Sequence, residues 1–464
     1  MNDYYCLDLD FSDVNFSPYD YSYAQDEINK VFHAHLYTRQ DEIELKIFFE
    51  EKTHFDNILM NWLSGTNKKF GSLLKIEVTK NNKNERLQKV DLSDSQPLWI
   101  TSGTNYYEKG NKYIIVKIDS VKCYWKPIED KNFTADFYLD DKGFRIVEPF
   151  YGRLYPKDFV KNDGEFEIAR MTDTTTFYKL EKSIFRPEYH FFAKDKTGDR
   201  VASITKEPKI HFKYQNDITE KEAIFYGDVV LMLASFYHHI KIDYIVRSIH
   251  LPEHTITIKN IEQKNFLDKS GNLWAFGIMG EFKDFLEFTW QKDTVTNYKL
   301  LSKAIGLFNQ SHLVDNYSRF LIRYNIIEIC DKQKPNKAKF KITLNQSQRK
   351  EKQKEALEKL LETIDNSEHA EFKKRWNNVQ TLLQNKPMKN QLVSFLESQN
   401  LNPKDFPIKI DALKELRDNI THGSIDKVDA EELKRANILL YRIDGILILN
   451  LMGIKDWTFN TKLT

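Results

Sequence analysis

Arg417 and His422, near the C-terminal end of the chain, are the residues whose types and spacing are best suited to chemistry. They lie in the segment LKELRDNITHGS and are five positions apart. On a continuous α-helix this spacing corresponds to roughly 140° of rotation, so the two side chains would not share one face. Gly423 suits a left-handed conformation just after a helix, and we predict that the helix unwinds near Thr421. His422 could then swing toward the side of Arg417.

The chemistry that this pair suits is metal-free cleavage of a phosphodiester in RNA. The histidine would take a proton from a ribose 2′-OH or give one to the leaving oxygen, and the arginine would hold the phosphate and stabilise its developing charge. Asp418 precedes His422 by four residues, and its carboxylate could accept a hydrogen bond from the imidazole and fix the tautomer. DNA has no 2′-OH and would resist this route. A plainer interpretation is that both side chains only compensate the negative end of the helix dipole.

The composition excludes several classes of protein. The chain has 464 residues, a length that suits two or three domains. Its 69 basic and 68 acidic residues give a net charge of +1. No global field therefore drives the chain onto nucleic acid or a membrane, and such binding must come from local patches. The sequence has no GxxxxGK[ST] or GxGxxG motif, so there is no case for a site that hydrolyses nucleoside triphosphates or binds a dinucleotide.

We expect a soluble protein in a reducing, cytoplasmic compartment. The three cysteines are far apart in the chain and offer neither a disulfide framework nor a CxxC metal pattern. The N-terminus is acidic and lacks the features of a signal peptide. The most apolar stretch, from Ile438 to Ile454, is short for a membrane span and carries Arg442 and Asp444 near its middle. We therefore predict a buried helix there and no contact with a membrane.

The predicted fold class is α+β in a multidomain chain, with a β-rich, sandwich-like N-terminal domain followed by an all-α helical bundle. Residues 1–215 alternate apolar and polar side chains between turn signals, which predicts a β-sandwich or a curved antiparallel sheet. Residues 216–292 are of mixed character and are predicted to be an α/β connecting segment. In residues 293–464 almost every segment has helical spacing, which predicts an α-helical domain.

Several segments carry these predictions. Thr134–Glu148 is predicted to be strand-like with a turn signal at Asp141-Lys142-Gly143, and Leu273–Met279 is a further strand candidate. The capping-box spacing Thr-x-x-Glu that begins at Thr219 predicts a helix over Glu220–Ile240. We expect the pair His238-His239 to close this helix, where the helix dipole favours a cationic histidine.

A basic segment separates the early and late helices of the predicted helical domain. Between Lys332 and Lys359 there are ten lysines and arginines and three glutamates, a net charge of +7. One interpretation is a solvated helix face and linker, which is the usual meaning of a charge run. The other is a phosphate track that guides RNA to the Arg417–His422 pair. The candidate RNA-binding residues are Arg349, Lys350, Lys352 and Lys354.

A second constellation lies near the N-terminus, where His33 and His35 flank Ala34. On a strand the two histidines would share one face and could bind a metal ion. No cysteine or carboxylate spacing supports a metal site. The simpler interpretation is a pair of histidines on a half-exposed strand, and we expect neither a metal nor a cofactor.

The segment R-D-N-I-T-H resembles the R-[N/H/D]-x(3)-H signature of HEPN ribonucleases, in which the motif lies at a helix end within a small helical bundle. The long apolar segment Asp429–Met452 after the motif also resembles that family. The resemblance implies that Arg417 and His422 are catalytic, with Asp418 at the polar position after the arginine. It implies a homodimer formed through the helical domain, with two motifs facing each other across a cleft. In some relatives an acidic residue on an earlier helix joins the site, and here the candidate is Glu328.

The order of domains, with a β-rich region ahead of a helical nuclease-like domain, resembles that of ApeA-type anti-phage defence proteins. This resemblance implies a role in abortive infection. The nuclease would be held inactive until the N-terminal region responds to a phage-derived trigger. Some HEPN relatives keep the fold and only bind nucleotides or partners. The alternative is therefore a non-catalytic dimerisation module that binds a ligand or nucleic acid.

Overall fold

The chain forms two compact units, which we describe separately. The N-terminal unit comprises residues 1–268 and 280–288, and the C-terminal unit comprises residues 269–279 and 289–464. The computed structural model describes residues 3–10, 31–38, 42–49, 75–77, 87–91, 97–100, 106–108, 111–128, 131–151, 159–162, 165–168, 177–195, 202–260, 273–278, 282–287, 291–332, 344–383 and 388–459.

The N-terminal unit is rich in β-structure, as predicted. Its helices are α1 (Phe144–Tyr151), α2 (Glu220–His238) and α3 (Phe282–Phe285). Its strands are β1 (Asp3–Asp10), β2 (Val31–Thr38), β3 (Ile43–Phe49), β4 (Lys75–Glu77), β5 (Leu87–Asp91), β6 (Pro97–Ile100), β7 (Tyr106–Glu108), β8 (Asn111–Ile118), β9 (Ser120–Trp125), β10 (Thr134–Leu139), β11 (Phe159–Asn162), β12 (Glu165–Ile168), β13 (Tyr178–Leu180), β14 (Ser183–Asp195), β15 (Ala202–Tyr214), β16 (Tyr244–His250) and β17 (Thr255–Asn260).

Fifteen of these strands join in one antiparallel sheet. The strand order is β13-β14-β15-β10-β16-β17-β9-β5-β4-β1-β2-β3-β8-β6, and β7 also pairs with β8. Strands β11 and β12 form a separate hairpin. Strand β10 is an inner strand that pairs with both β15 and β16. Asp136 therefore lies opposite His211 on one side and Ser248 on the other.

The two faces of β10 differ sharply because successive strand residues point to opposite sides of a sheet. Ala135 and Phe137 are fully buried, and the Phe137 ring lies against Gly227 of α2. A Cβ atom at Gly227 would lie 1.7 Å from the Phe137 ring carbon Cε2, so glycine allows the helix to approach the sheet closely. Helix α2 thus packs on the apolar face of the sheet at β10, and the opposite face of β10 carries polar side chains.

The helix predicted from the capping box is confirmed. The Thr219 hydroxyl accepts a hydrogen bond from the Glu222 N–H, and the Glu222 carboxylate accepts one from the Thr219 N–H. The helix ends at His238, and His239 takes a left-handed conformation with φ of 55°. The histidine pair closes the helix as predicted, but a positive charge is not favoured at His238, because burial, and then the charge of Arg145, lower its pKa to about 4. The apolar surroundings of the imidazole outweigh the helix dipole.

The Thr134–Glu148 prediction is only partly correct. The strand ends at Leu139, and a short 3₁₀ turn leads directly into α1. Within α1 the side chains of Ile146, Val147 and Phe150 are buried, and their spacing is that of one helix face. The β-branched Ile and Val favour a strand locally, but the burial of this face determines a helix.

Residues 216–292 do not form the separate connecting segment that the sequence predicts. Strand β16 pairs with β10, and β17 pairs with both β16 and β9, so both strands lie inside the N-terminal sheet. Helix α2 packs on the same sheet. Local periodicity identifies strands but does not identify their partners, which explains why the sequence did not place these strands in the sheet.

The regular secondary structure of the C-terminal unit is helical within its described residues, as predicted. A 3₁₀ helix at Leu273–Phe276 replaces the expected strand, and the fully buried Phe276 ring lies against Gly445. The α-helices are α4 (Gln291–Thr296), α5 (Tyr298–Ser311), α6 (Asn316–Lys332), α7 (Gln346–Leu361), α8 (His369–Leu383), α9 (Met388–Ser398), α10 (Ile410–Thr421) and α11 (Ala430–Leu451).

Helix α11 forms the centre of the C-terminal unit, where it packs against α5 and α6. Leu440, Ile443 and Ile446 of α11 are fully buried, as are Phe308 of α5 and Phe320 of α6. The predicted buried apolar helix is therefore confirmed. Among the helices that the structure describes, none has both the length and the hydropathy that a membrane span requires.

Candidate active site

Helix α10 places Arg417 at the border of its buried face. Ile410, Leu413 and Leu416 are the buried residues of this helix, and their spacing forms one apolar stripe. Arg417 is four residues after Leu413 and seven after Ile410, so its side chain leaves the helix beside that stripe, and 32% of the side chain is exposed. The guanidinium is therefore partly enclosed and still reachable from solvent.

The helix ends at Thr421, where the sequence predicts unwinding. His422 leaves the helical conformation with φ of −92° and ψ of 6°, and its N–H donates to the Asp418 carbonyl at 2.9 Å. Gly423 follows with φ of +75°, a left-handed conformation that costs a residue with a Cβ atom about 1–2 kcal/mol. The His422 side chain is exposed. Local sequence thus determines where the histidine leaves the helix.

Arg417 contacts three side chains of the C-terminal unit. Its Nη1 lies 3.2 Å from Oδ1 of Asp418, and its Nη2 lies 3.4 Å from Oε1 of Glu328. The guanidinium carbon lies 5.9 Å from the centre of the Tyr324 ring. Tyr324 and Glu328 are four residues apart on α6, so one face of that helix receives the arginine. Glu328, the acidic candidate from an earlier helix, therefore lies beside Arg417.

The expected hydrogen bond between His422 and Asp418 is not formed. The Asp418 carboxylate accepts from Arg417 instead, and the His422 imidazole has no hydrogen-bond partner among the described residues. The physical reason is the helix end. A contact between residues four apart needs both residues in helical conformation, and His422 is already outside it.

Negative charge predominates around the guanidinium. Two carboxylates, of Glu328 and Asp418, contact the single positive charge of Arg417. Burial, followed by the charge of Glu328, raises the pKa of Tyr324, so the phenol is neutral in the physiological range. The carboxylates are 26% and 41% exposed, so water partly screens both contacts.

The four basic candidates lie on α7 in the order Arg349, Lys350, Lys352 and Lys354. This helix is largely exposed, and Leu361 is its only buried residue. Lys352 forms a salt bridge with Glu355 at 2.9 Å and Lys354 one with Glu358 at 3.8 Å. Lys350 is exposed and forms no salt bridge within the described part of the chain. Lys334, Lys337, Lys339 and Lys341 lie outside the described residues.

The His33–His35 pair lies on one face of β2. The two Nε2 atoms are 3.1 Å apart, and the Phe48 ring packs against both imidazoles. His33 is exposed and His35 is half-buried. Among the residues that the structure describes, no third ligand completes a metal site there. These histidines belong to an aromatic cluster on a half-exposed strand, the simpler of the two interpretations.

The sequence did not reveal a polar cluster on the face of the sheet opposite α2. Asp136 of β10 contacts Lys209 and His211 of β15, each at 2.9 Å, and Lys209 also contacts Glu188 of β14 at 2.8 Å. Burial acts to raise the pKa of Asp136, but the hydrogen bond to His211 and the charge of Lys209 outweigh it. The pKa therefore lies well below its ordinary value.

This cluster is an ion network and is poorly suited to a metal. One atom each of Asp136, Glu188 and His211 lie within 4.8 Å of one another, but the Lys209 ammonium already contacts both carboxylates. A bound cation would have to displace that charge. Alternation along β10 and β15 places each residue on a face. Only the pairing of strands far apart in the sequence brings the residues together.

Comparisons of the chain with models of known protein families, with curated proteins and with solved structures find no significant match. The resemblance to HEPN ribonucleases therefore depends on the segment from Arg417 to His422 and on its position in the chain.

Proposed function

We propose that the protein is a HEPN-type endoribonuclease that cleaves RNA without a metal ion, with Arg417 and His422 as its catalytic pair. The observation that carries the proposal is their placement at one helix end. A partly exposed guanidinium lies in the last turn of α10, and an exposed imidazole follows immediately after it. The long apolar helix α11 then anchors this end of the segment in the core.

The chemistry begins at the ribose 2′-OH. The His422 imidazole accepts the hydroxyl proton as the 2′ oxygen attacks phosphorus, and the bond from phosphorus to the 5′ oxygen breaks. The leaving oxygen receives a proton, which gives a 2′,3′-cyclic phosphate and a 5′-hydroxyl end. Arg417 stabilises the negative charge that develops on the phosphoryl oxygens. A homodimer through the helical domain would bring two such pairs to one cleft, where one imidazole could serve as base and the other as acid.

Four basic residues of α7 are the proposed contacts to the RNA backbone away from the scissile bond. Lys350, Lys352 and Lys354 are exposed on this helix, and Arg349 is half-buried. Phosphate contacts of basic residues raise affinity without regard to sequence. In the cell, we propose a cytoplasmic role in abortive infection. The N-terminal unit would respond to a phage-derived trigger, and RNA cleavage would then stop growth.

Cleavage of RNA in EDTA tests the proposal. We expect the full-length protein to cleave a single-stranded RNA and to leave the DNA of the same sequence intact. Arg417→Ala and His422→Ala should each reduce cleavage by at least about a hundredfold. Arg435→Ala is the matched control, since Arg435 is an exposed arginine on α11, and it should keep full activity. Equal cleavage by the wild-type protein and both site variants would contradict the proposal.

A second candidate function is a non-catalytic module that dimerises and binds a ligand or nucleic acid. Two observations favour it. Both terminal nitrogens of Arg417 contact carboxylates, and no hydrogen bond orients the His422 imidazole within the described residues. RNA binding without cleavage, in the wild-type protein and in both site variants, would support this candidate.

A further inference from the structure

The contacts of Arg417 leave no free pair of terminal nitrogens for a phosphate. An arginine holds a phosphate most firmly through two parallel N–H···O bonds. In the structure Nη1 contacts Asp418 and Nη2 contacts Glu328. A phosphodiester that uses this edge of the guanidinium must therefore replace at least one carboxylate.

The two carboxylates are held differently. Asp418 is the next residue on the same helix, so its short side chain stays near the guanidinium. Glu328 lies on α6, and its longer side chain reaches Arg417 through a single contact of 3.4 Å. This distance is longer than the 3.2 Å to Asp418, and both exceed the 2.7–2.9 Å of a strong charge-assisted hydrogen bond. The Glu328 contact is therefore the one that opens more easily.

The Tyr324 ring can support the arginine while the carboxylate is replaced. The guanidinium carbon lies 5.9 Å from the centre of the ring. A contact to the ring face uses none of the N–H donors. Opening the Glu328 contact also removes a negative charge from the path of an anionic ligand.

We propose that Glu328 competes with the substrate phosphate for Arg417, so that RNA occupies the site only after the Arg417–Glu328 ion pair has opened. This inference rests on the proposed function, because it takes the Arg417 site to be where RNA binds. Glu328 is then the counter-ion of Arg417 in the absence of substrate, and this ion pair limits phosphate binding at the site.

Binding of a single-stranded 2′-O-methyl RNA oligonucleotide tests this inference, since a ligand without a free 2′-OH cannot be cleaved by this route. We expect Glu328→Gln in the full-length protein to tighten binding about three- to tenfold, measured by fluorescence anisotropy. Glu415→Gln is the matched control, because Glu415 is exposed on the same helix as Arg417 and forms no salt bridge within the described residues. Its affinity should stay within a factor of about two of wild type.

An equally large gain in affinity in Glu415→Gln would overturn the inference. So would a gain in Glu328→Gln that persists when Arg417→Ala is added. The absence of binding by both wild type and Glu328→Gln would also overturn it. Weaker binding in Glu328→Gln would also overturn it, since Glu328 would then hold Arg417 in place for the substrate. The proposed function fails separately, if cleavage survives both Arg417→Ala and His422→Ala. If the wild-type protein cleaves RNA but Glu328→Gln does not bind it more tightly, only the proposed competition between Glu328 and phosphate is contradicted.

Discussion

Arg247 of β16 and Asp228 of α2 form an ion pair between the sheet and the helix of the N-terminal unit. Arg247 is only 3% exposed, and its guanidinium carbon lies 3.3 Å from the centre of the Tyr244 ring. Burial raises the pKa of Asp228, although the charge of Arg247 opposes this rise. The pair therefore allows a positive charge to lie beneath α2 on the apolar face of the sheet.

The first prediction concerns this ion pair. Asp228→Ala should lower the free energy of unfolding of the N-terminal unit by about 2–3 kcal/mol, because it leaves the Arg247 guanidinium buried without its counter-charge. Hydrogen exchange of α2 amides in increasing urea measures the loss. The control is Asp217→Ala, which removes the 67%-exposed partner of Lys182 and should leave exchange unchanged. Equal effects of the two substitutions would contradict the prediction.

The second prediction concerns pH and His238. Its folded pKa of about 4 lies below the ordinary value of 6.5, so the unfolded chain takes up the proton first as the pH falls. The stabilising effect of the neutral imidazole is complete above pH 6.5 and is lost as the pH falls toward 4, a loss of about 3 kcal/mol. His238→Phe should flatten this pH dependence, because the ring contacts Tyr237 and Phe282 and phenylalanine cannot titrate. Parallel curves for wild type and variant, from urea unfolding between pH 7.5 and 4.5, would rule it out.

The third prediction concerns Asp444 in the core of the C-terminal unit. Asp444 is fully buried, and neither carboxylate oxygen has a hydrogen-bond partner among the described residues. Burial raises its pKa well above 3.8, and the charge of Arg323 opposes this rise. A raised pKa means that the contribution of the group to stability is complete below pH 3.8 and is lost as the pH rises.

Asp444→Asn removes this titration. The stability of the variant relative to wild type should therefore increase as the pH rises. We expect the variant to be more stable than wild type at pH 8 and to lose this advantage toward pH 5. Urea unfolding of the full-length protein, followed through exchange of α11 amides, measures the difference. A variant that is less stable than wild type at pH 8 would show that the Arg323 charge compensates the buried carboxylate.

The fourth prediction separates the lysines of α7. Lys350→Ala should weaken binding of the 2′-O-methyl RNA and reduce the slope of log affinity against log salt concentration by about 0.7. Lys352→Ala should have a smaller effect, because its ammonium already contacts Glu355 at 2.9 Å. Anisotropy titrations at several salt concentrations measure both. If neither slope changes, the basic run is a solvated helix face, as charge runs usually are.

The candidate site shows how far a local sequence motif can lead. The end of α10 at Thr421, the exposed His422 and the left-handed Gly423 follow from residues within a few positions of one another, and helix-capping preferences act at that range. The contact of Arg417 with Tyr324 could not be predicted, because it depends on how α6 packs against α10. The Asp418 carboxylate contacts the arginine and not the histidine for a local reason, because His422 already lies outside the helical conformation.

By itself, the sequence determined the class of each half of the chain, the ends of helices such as α2 and α10, and the burial of α11. These features depend on alternation, helical spacing and capping, which are properties of neighbouring residues. Tertiary structure alone decided that β16 and β17 belong in the N-terminal sheet, that Asp136 meets Lys209 and His211, and that Tyr324 meets Arg417. Those contacts join residues far apart in the chain, and they form only when buried apolar surfaces bring separate elements together.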